Sequence, residues 1–256
     1  MEPAVFITTS WDDGHPLDLR VADLLTRYGI AGTFYVPKTA PRGTMAATEV
    51  RQLSLGFELG AHTLHHVVLT GATEREAWQE ISGSKAWLED NTGFPSALFC
   101  PPKGRYARRH LEMIRRAGFL GFRSAELVSL DFPRRQADLL VMPTTLQAYP
   151  HRVTAFAKNT IKRRAFGNLW RLLVHGHSTE WPELAQSLLL RALDHGGVFH
   201  LWGHSWELQD TDQWHRLDEV LRFMSSFVRR AAPLTNGEIC QLILSQRAPS
   251  DGPEPQ

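Results

Sequence analysis

Short apolar runs alternate with helical patterns along most of this chain. Val5 to Thr9 reads as a strand that runs into the polar stretch Ser10-Trp11-Asp12-Asp13-Gly14. Residues 16–28 then carry apolar side chains at helical spacing, and Gly29 is a typical helix stop. Residues 32–36 read as a second strand. Strands and helices that alternate in this way predict a parallel sheet.

The same alternation continues along the rest of the chain. Thr73 and Glu76 form a capping box that opens a helix. A mostly helical region follows over 153–195, with breaks near Gly176 and Pro182. The other predicted strands cover 57–63, 97–100, 121–125, 139–142 and 198–202, and the other predicted helices cover 108–117, 214–230 and 238–244.

About seven strand candidates, no internal repeat and no dividing linker predict one α/β domain. The sheet could be open or closed, and the strand count favours a barrel over residues 1–247. Residues 248–256 are rich in Pro, Ser, Asp and Gly, and we expect a disordered tail there.

Composition adds few constraints. The 256 residues are 43% hydrophobic and carry a net charge of +1, which gives no global signal for nucleic acid or a charged membrane. The two cysteines do not imply a disulfide framework. We find neither a signal peptide nor a transmembrane segment, and we expect a cytoplasmic protein. The oligomeric state stays open.

Three polar clusters lie where predicted strands end. They are the Asp12-Asp13 pair, residues 62–66 and residues 200–204. Each cluster alone is more often a turn or a surface feature. In parallel barrels, however, active sites form at the carboxyl ends of strands, so the joint placement predicts a site.

The residue types in these clusters favour a catalytic metal. His62 and His66 are four residues apart, which places both rings on one face of a helical turn. Imidazole suits zinc and other first-row divalent ions, and a catalytic site needs a third protein ligand and an open position. One carboxylate of the Asp12-Asp13 pair would complete the set. The other can take a proton from water.

Two of these clusters resemble motifs of the NodB-type polysaccharide deacetylases, also called carbohydrate esterase family 4. The stretch Thr9 to Gly14 is similar to that family's Thr-Phe-Asp-Asp-Gly motif. His62-Thr63-Leu64-His65-His66 matches its His-(Ser/Thr)-x-x-His motif, at a similar separation. The resemblance covers roughly residues 4–210 and implies an α/β fold of the distorted (β/α)7-type barrel kind.

The resemblance also implies a role for each residue. Asp12 would be the general base, and Asp13, His62 and His66 would hold a divalent metal. Zn²⁺ is the default, with Co²⁺, Mn²⁺ and Ni²⁺ as alternatives. The hydroxyl of Thr63 would brace the loop between the histidines.

The third motif of the family departs from its pattern here. Cys100-Pro101-Pro102-Lys103-Gly104 stands where the family has an Arg-Pro-Pro-Tyr-Gly-like sequence. The backbone N–H of Lys103 would serve the oxyanion hole. Because Arg is replaced by Cys100, either another cation orients the base or the base is tuned differently. A cysteine that ends a strand is more often buried and inert than nucleophilic, and we favour that interpretation.

A late strand carries the family's Leu-x-His position. His204 and His200 compete for the role of general acid, and we favour His204 because it lies nearer the strand's carboxyl end. The fourth motif, Asp-x-x-Asp-Trp, is missing, and Asp131 is the nearest replacement for its acid. We interpret His175 and His177 as surface residues, and the basic residues Lys162, Arg163, Arg164 and Arg171 as a solvated helix face.

The function implied by the resemblance is metal-dependent removal of N-acetyl groups from a sugar or polysaccharide, with an N-acetylated carbohydrate as partner and no nucleic acid. One alternative is a related amidohydrolase that acts on a small amide such as a cyclic ureide. Another is an inactive barrel that binds carbohydrate through Trp11, Trp202 and Trp206.

Overall fold

Ten strands form one sheet in the part of the chain that the computed structural model describes, residues 4–151 and 180–246. All neighbouring strands are parallel except β6 and β7. Across the sheet the order is β6-β7-β5-β4-β3-β2-β1-β9-β8, and β10 pairs with β1. The strands are β1 Val5–Asp12, β2 Gly32–Val36, β3 Glu58–Ala61, β4 Leu98–Phe99, β5 Gly121–Arg123, β6 Arg134–Gln136, β7 Leu139–Met142, β8 Leu146–Gln147, β9 Gly197–Gly203 and β10 Ala232–Pro233.

Helices connect most of these strands. Short 3₁₀ turns cover Leu69–Gly71 and Pro102–Gly104. Two short helices, over residues 47–53 and 205–210, are not predicted from the sequence, because each has only six or seven residues. The described helices are α1 Asp18–Tyr28, α2 Ala47–Leu53, α3 Glu74–Thr92, α4 Arg108–Arg116, α5 Trp181–His195, α6 Ser205–Asp210, α7 Trp214–Ser225 and α8 Asn236–Ser245.

The stretch of chain from β7 to β8 bends and joins the two edge regions of the sheet. β7 pairs with β5, and β8, which begins four residues after β7 ends, pairs with β9. Pro143 lies at the bend, where a residue without an N–H is tolerated. The N–H of Thr145 donates to the carbonyl of His200 at 3.0 Å. The sheet therefore curls into the α/β barrel that the sequence predicts.

Several predicted boundaries are confirmed. β2 and β7 have the predicted limits, and Thr73 caps α3 as predicted. Gly29 ends α1 with a φ of 63°. Pro182 lies in the first turn of α5, where proline is favoured, so the predicted break is a helix start.

β1 runs further than predicted, to Asp12, because its last residues pair with β2 on one side and β9 on the other. α7 in turn ends at Ser225, short of the predicted residue 230. The predicted tail, the basic residues over 162–171 and the His175/His177 pair lie outside the described residues. The predicted domain limits stay a prediction.

Trp11 belongs to the core and not to a binding surface. Its side chain is fully buried, and its indole N–H donates to Thr9 Oγ1 at 3.3 Å. The expectation that Trp11 serves as a sugar platform is therefore wrong, because its ring packs within the main hydrophobic core. None of the described helices is both long and apolar enough to cross a membrane.

Candidate active site

A cavity of about 300 Å³ opens where the carboxyl ends of β1, β3, β4, β5 and β9 meet. The curled sheet brings these strand ends together, so residues far apart in the sequence share one space. All the predicted catalytic and metal-binding residues line this cavity: Asp12, Asp13, His62, His66, Lys103 and His204.

Left-handed backbone conformations are concentrated at this cavity. Asp13, Thr63, His66 and Lys103 have φ values of 78°, 58°, 54° and 56°. Such conformations cost energy for residues other than glycine and often cluster at functional sites. Gly14 continues the turn with a φ of 60°, and a Cβ at this position would come within 2.7 Å of a neighbouring side chain.

Asp13, His62 and His66 converge on one point. Their candidate ligand atoms all lie within 4.8 Å of one another. Asp13 Oδ1 lies 3.5 Å from His62 Nε2 and 3.0 Å from His66 Nε2, yet it accepts no hydrogen bond from the described residues. Two nitrogens and one buried oxygen that face each other without a hydrogen bond fit a shared divalent cation. Burial raises the pKa of Asp13, but the two histidines more than offset this and hold it well below its usual range.

The far nitrogen of His62 is also fixed. Its Nδ1 lies 2.6 Å from the carbonyl oxygen of Cys100. A hydrogen bond of this kind sets the tautomer and leaves Nε2 free for a metal. The cysteine position thus contributes its backbone to the site.

Thr63 does not brace the histidine loop as expected. Its hydroxyl is buried and has no hydrogen-bond partner among the described residues. Backbone bonds hold the loop instead, because Leu64 donates to the carbonyl of Glu80 at 3.1 Å and accepts from the N–H of Lys38 at 2.9 Å.

Asp12 is buried and paired with a cation. Arg123, the last residue of β5, donates from Nη2 to Asp12 Oδ2. Burial alone would raise the pKa of Asp12, but the Arg123 guanidinium, helped by His62 and His204, holds it below its ordinary value. Asp12 is therefore ionised at neutral pH, as a base must be. Its second oxygen, Oδ1, has no hydrogen-bond partner among the described residues.

Arg123 is the cation that the sequence analysis could not identify. It lies between two aromatic rings, 5.4 Å from the centroid of Tyr35 and 4.7 Å from that of Trp202. Arg123 ends β5, but the strand predicted over 121–125 runs two residues past it, so its position at a strand end was not visible in the sequence.

His200 lies within β9 and His204 directly follows it, and the two rings occupy different environments. His204 Nε2 lies 4.0 Å from both Asp12 Oδ2 and Asp13 Oδ2. His200 is fully buried, with Nε2 2.8 Å from Ser10 Oγ and Nδ1 2.8 Å from the carbonyl of Pro143. Burial lowers the pKa of His200 to about 3, so its ring is neutral. This geometry favours His204 as the acid and a structural role for His200.

Glu207 holds the other nitrogen of His204. Its Oε2 lies 2.7 Å from His204 Nδ1 and also accepts from Gln147 Nε2 at 2.7 Å. Burial lowers the pKa of His204, but Glu207 and the two aspartates outweigh it and raise the pKa to about 9. The expectation that Asp131 replaces the missing acid is wrong, because Asp131 lies near Gly197, at the opposite end of β9.

Cys100 is buried beside the site. Its Sγ lies 3.9 Å from Asp12 Oδ2. Burial raises the pKa of its thiol well above the usual range, although Arg123 opposes the shift. A protonated, buried thiol fits the predicted inert role.

Comparisons with known proteins point the same way. The family model described as "Polysaccharide deacetylase" matches residues 2–122. No curated protein sequence matches. A putative polysaccharide deacetylase from Mycobacterium smegmatis superposes with a TM-score of 0.67 at 16% identity, over 99% of this chain and 96% of that one.

Two further solved structures are similar. The peptidoglycan deacetylase PdaC from Bacillus subtilis has a TM-score of 0.56 at 15% identity, over 95% of this chain and 93% of that one. A family 4 acetyl xylan esterase from Clostridium thermocellum, solved with a cobalt ion, has a TM-score of 0.55 at 15% identity, over 93% and 91%. These matches confirm the predicted fold and, with the family model, the resemblance.

Proposed function

We propose that this chain, whose residues 2–122 match the polysaccharide deacetylase family model, is a metal-dependent hydrolase that removes N-acetyl groups from a sugar. One observation carries the proposal: Asp13, His62 and His66 converge at one point, with ionised Asp12 and His204 facing the same cavity. A hydrolysis of this kind needs a base, an acid and a polarising group within reach of one carbonyl.

Asp13, His62 and His66 would hold the metal. Two imidazoles and one carboxylate are a common ligand set of catalytic zinc, and Co²⁺, Mn²⁺ or Ni²⁺ can also accept it. When bound, a divalent ion supplies Lewis-acid chemistry, which polarises a carbonyl and makes water more acidic. Peptidoglycan deacetylase and acetyl xylan esterase appear among the matched structures, and the latter is described with cobalt.

The chain's own residues would move the protons. Asp12 takes a proton from water at Oδ1, the oxygen that Arg123 leaves free. The water oxygen adds to the acetyl carbon, and the backbone N–H of Lys103 donates to the oxygen that becomes negative. His204 gives a proton from Nε2 to the departing nitrogen as the C–N bond breaks. The products are acetate and a free amine.

The walls of the cavity fit a sugar substrate. Trp202 and Trp206 line it together with Pro101, and these side chains offer apolar surface to the ring of a sugar. The two alternatives predict different products. A cyclic ureide hydrolase would release an opened ureide and no acetate, and an inactive binder would release no product.

The decisive experiment combines metal analysis with acetate release. We expect about one equivalent of divalent metal and release of acetate from N-acetylated sugars, with O-acetylated sugars and cyclic ureides tested in parallel. His62→Ala combined with His66→Ala should abolish both. His65→Ala is the matched control, since His65 lies in the same loop, is half exposed and pairs with Glu80.

Each outcome decides between the alternatives. Stoichiometric metal in the double variant would disprove the proposed ligands. Activity on a cyclic ureide alone would replace the sugar substrate. Metal-free protein that binds sugar without releasing acetate would support the inactive binder.

A further inference from the structure

The two oxygens of Asp13 have different partners. Oδ1 faces His62 Nε2 and His66 Nε2, whereas Oδ2 accepts a hydrogen bond from Trp206 Nε1 at 3.0 Å. A carboxylate bonded in this way offers one oxygen to a cation and keeps the other engaged. Trp206 is the second residue of α6, and no family motif quoted above assigns it a role.

We propose that Trp206 is a positioning residue for the metal ligand Asp13, held in place by Arg42. The proposal rests on the metal-dependent function proposed above. It adds a residue that touches no reacting atom and acts through the carboxylate it binds.

Arg42 stacks on a face of the Trp206 ring. Its guanidinium carbon lies 4.0 Å from the centroid of the Trp206 ring, and its Nη1 donates to Asp210 Oδ2 at 2.7 Å. Asp210 is the last residue of α6, one helical turn beyond Trp206. Arg42 thus contacts two points of the same helix and orients the indole towards Asp13.

The segment between β2 and α2 connects this contact to the rest of the ligand set. Arg42 belongs to it, and its Met45 N–H donates to the carbonyl of Gly14, next to Asp13, at 2.8 Å. Its Lys38 N–H donates to the carbonyl of Leu64, between the two histidines, at 2.9 Å. One segment therefore contacts both ligand loops and, through Arg42, the helix that carries Trp206.

The hydrogen bond should matter for metal affinity. The Trp206 N–H engages Asp13 Oδ2, so Oδ1 is the oxygen that faces the two histidines. Partners that orient a metal ligand typically change metal affinity about 10–100-fold when they are removed. Phenylalanine keeps most of the ring stacked under Arg42 but cannot donate the N–H, so it isolates the hydrogen bond.

The test is the affinity for Zn²⁺, measured on the full chain by competition with a chromophoric chelator. We expect Trp206→Phe to weaken Zn²⁺ binding about 10–100-fold. Trp214→Phe is the matched control, because Trp214 also lies under an arginine, at 4.1 Å from Arg20, and donates its N–H to Gln209 at 3.0 Å. It lies on α7, outside the cavity, and its loss should leave Zn²⁺ affinity unchanged.

Arg42→Met provides a second variant and a check on folding. It keeps Trp206 but removes the stacked cation, and we expect a smaller loss of Zn²⁺ affinity with an unchanged melting temperature. Equal affinities of Trp206→Phe and wild type would overturn the inference. If Trp206→Phe does not fold, an unchanged affinity in Arg42→Met overturns it instead. A wild-type protein that binds no metal would remove the proposed function as well, so the two failures are distinguishable.

Discussion

The two sides of the cavity differ in how their residues are encoded. The ligand side, made of Asp12, Asp13, His62 and His66, comes from two short motifs at the ends of β1 and β3. The support side is made of Arg123, His204, Trp206 and Glu207. These residues come from the end of β5 and from the start of α6, which follows β9. Only His204 on the support side belongs to a recognisable motif.

The comparison shows that a supporting role can move to another element when that element ends at the same place. The cation that pairs with the base is Arg123 on β5, although the family pattern would place it at Cys100, directly after β4. The acid that orients His204 is Glu207, three residues later in α6. The reacting groups, by contrast, must keep their mutual geometry and stay in their motifs.

The largest expected effect lies on the ligand side. Asp12→Asn keeps the size of the side chain but removes the base, so we expect kcat to fall about 10³–10⁴-fold, at the upper end of general base catalysis. Metal content should stay the same because Asp13, His62 and His66 remain. Acetate release and metal analysis on one preparation measure both. A fully active variant would show that Asp12 is not the base.

Arg123→Met tests whether the support side also stabilises the fold. It leaves the buried Asp12 charge without its partner, and breaking a buried pair in this way costs about 3–5 kcal/mol. We expect this loss in the free energy of unfolding from urea titration, together with reduced activity. Arg134→Met is the control, since Arg134 pairs with Glu126 but is about half exposed. A change below about 1 kcal/mol for both variants would mean that the Arg123 pair contributes little.

His204→Ala and His200→Ala should separate activity from stability. The first should reduce kcat about a hundredfold, at the lower end of general acid catalysis, with little change in melting temperature. The second should lower the free energy of unfolding by about 1–3 kcal/mol, because it leaves buried Ser10 and the Pro143 carbonyl without a partner. The reverse pattern would exchange the two roles.

Part of this site could be predicted from the sequence. The spacing of His62 and His66 and the Asp12-Asp13 pair, all placed after strands, together pointed to this cavity, because these signals are local. Arg123 could not be assigned, since its contact with Asp12 spans 111 residues and exists only once the sheet curls. The error on Trp11 has the same origin, because the hydrophobic core that buries it is assembled from elements far apart in the sequence.

Glu207→Gln should change the pH dependence rather than the chemistry. Glu207 helps to raise the pKa of His204 to about 9, and the protonated ring is the acid. Activity should therefore be present below this pKa and fall as pH rises through it. Removing the Glu207 charge should lower the pKa of His204, and such contacts shift a pKa by about 1–3 units. The alkaline limb of the pH–activity profile should therefore move to lower pH. The pH profile of kcat/KM measures it, and an unmoved limb would contradict the role of Glu207.

The smallest effect is expected at Cys100, on the border between the two sides. Cys100→Ala removes one buried sulfur, so we expect a loss of about 1 kcal/mol in the free energy of unfolding and near-normal kcat. Cys240→Ala is the control, since Cys240 is also a buried free thiol but lies in α8, away from the cavity. A nucleophilic Cys100 would instead make this variant as inactive as Asp12→Asn. Because the hydrogen bond to His62 Nδ1 comes from the backbone carbonyl of Cys100, and alanine keeps that carbonyl, metal content should also be unchanged.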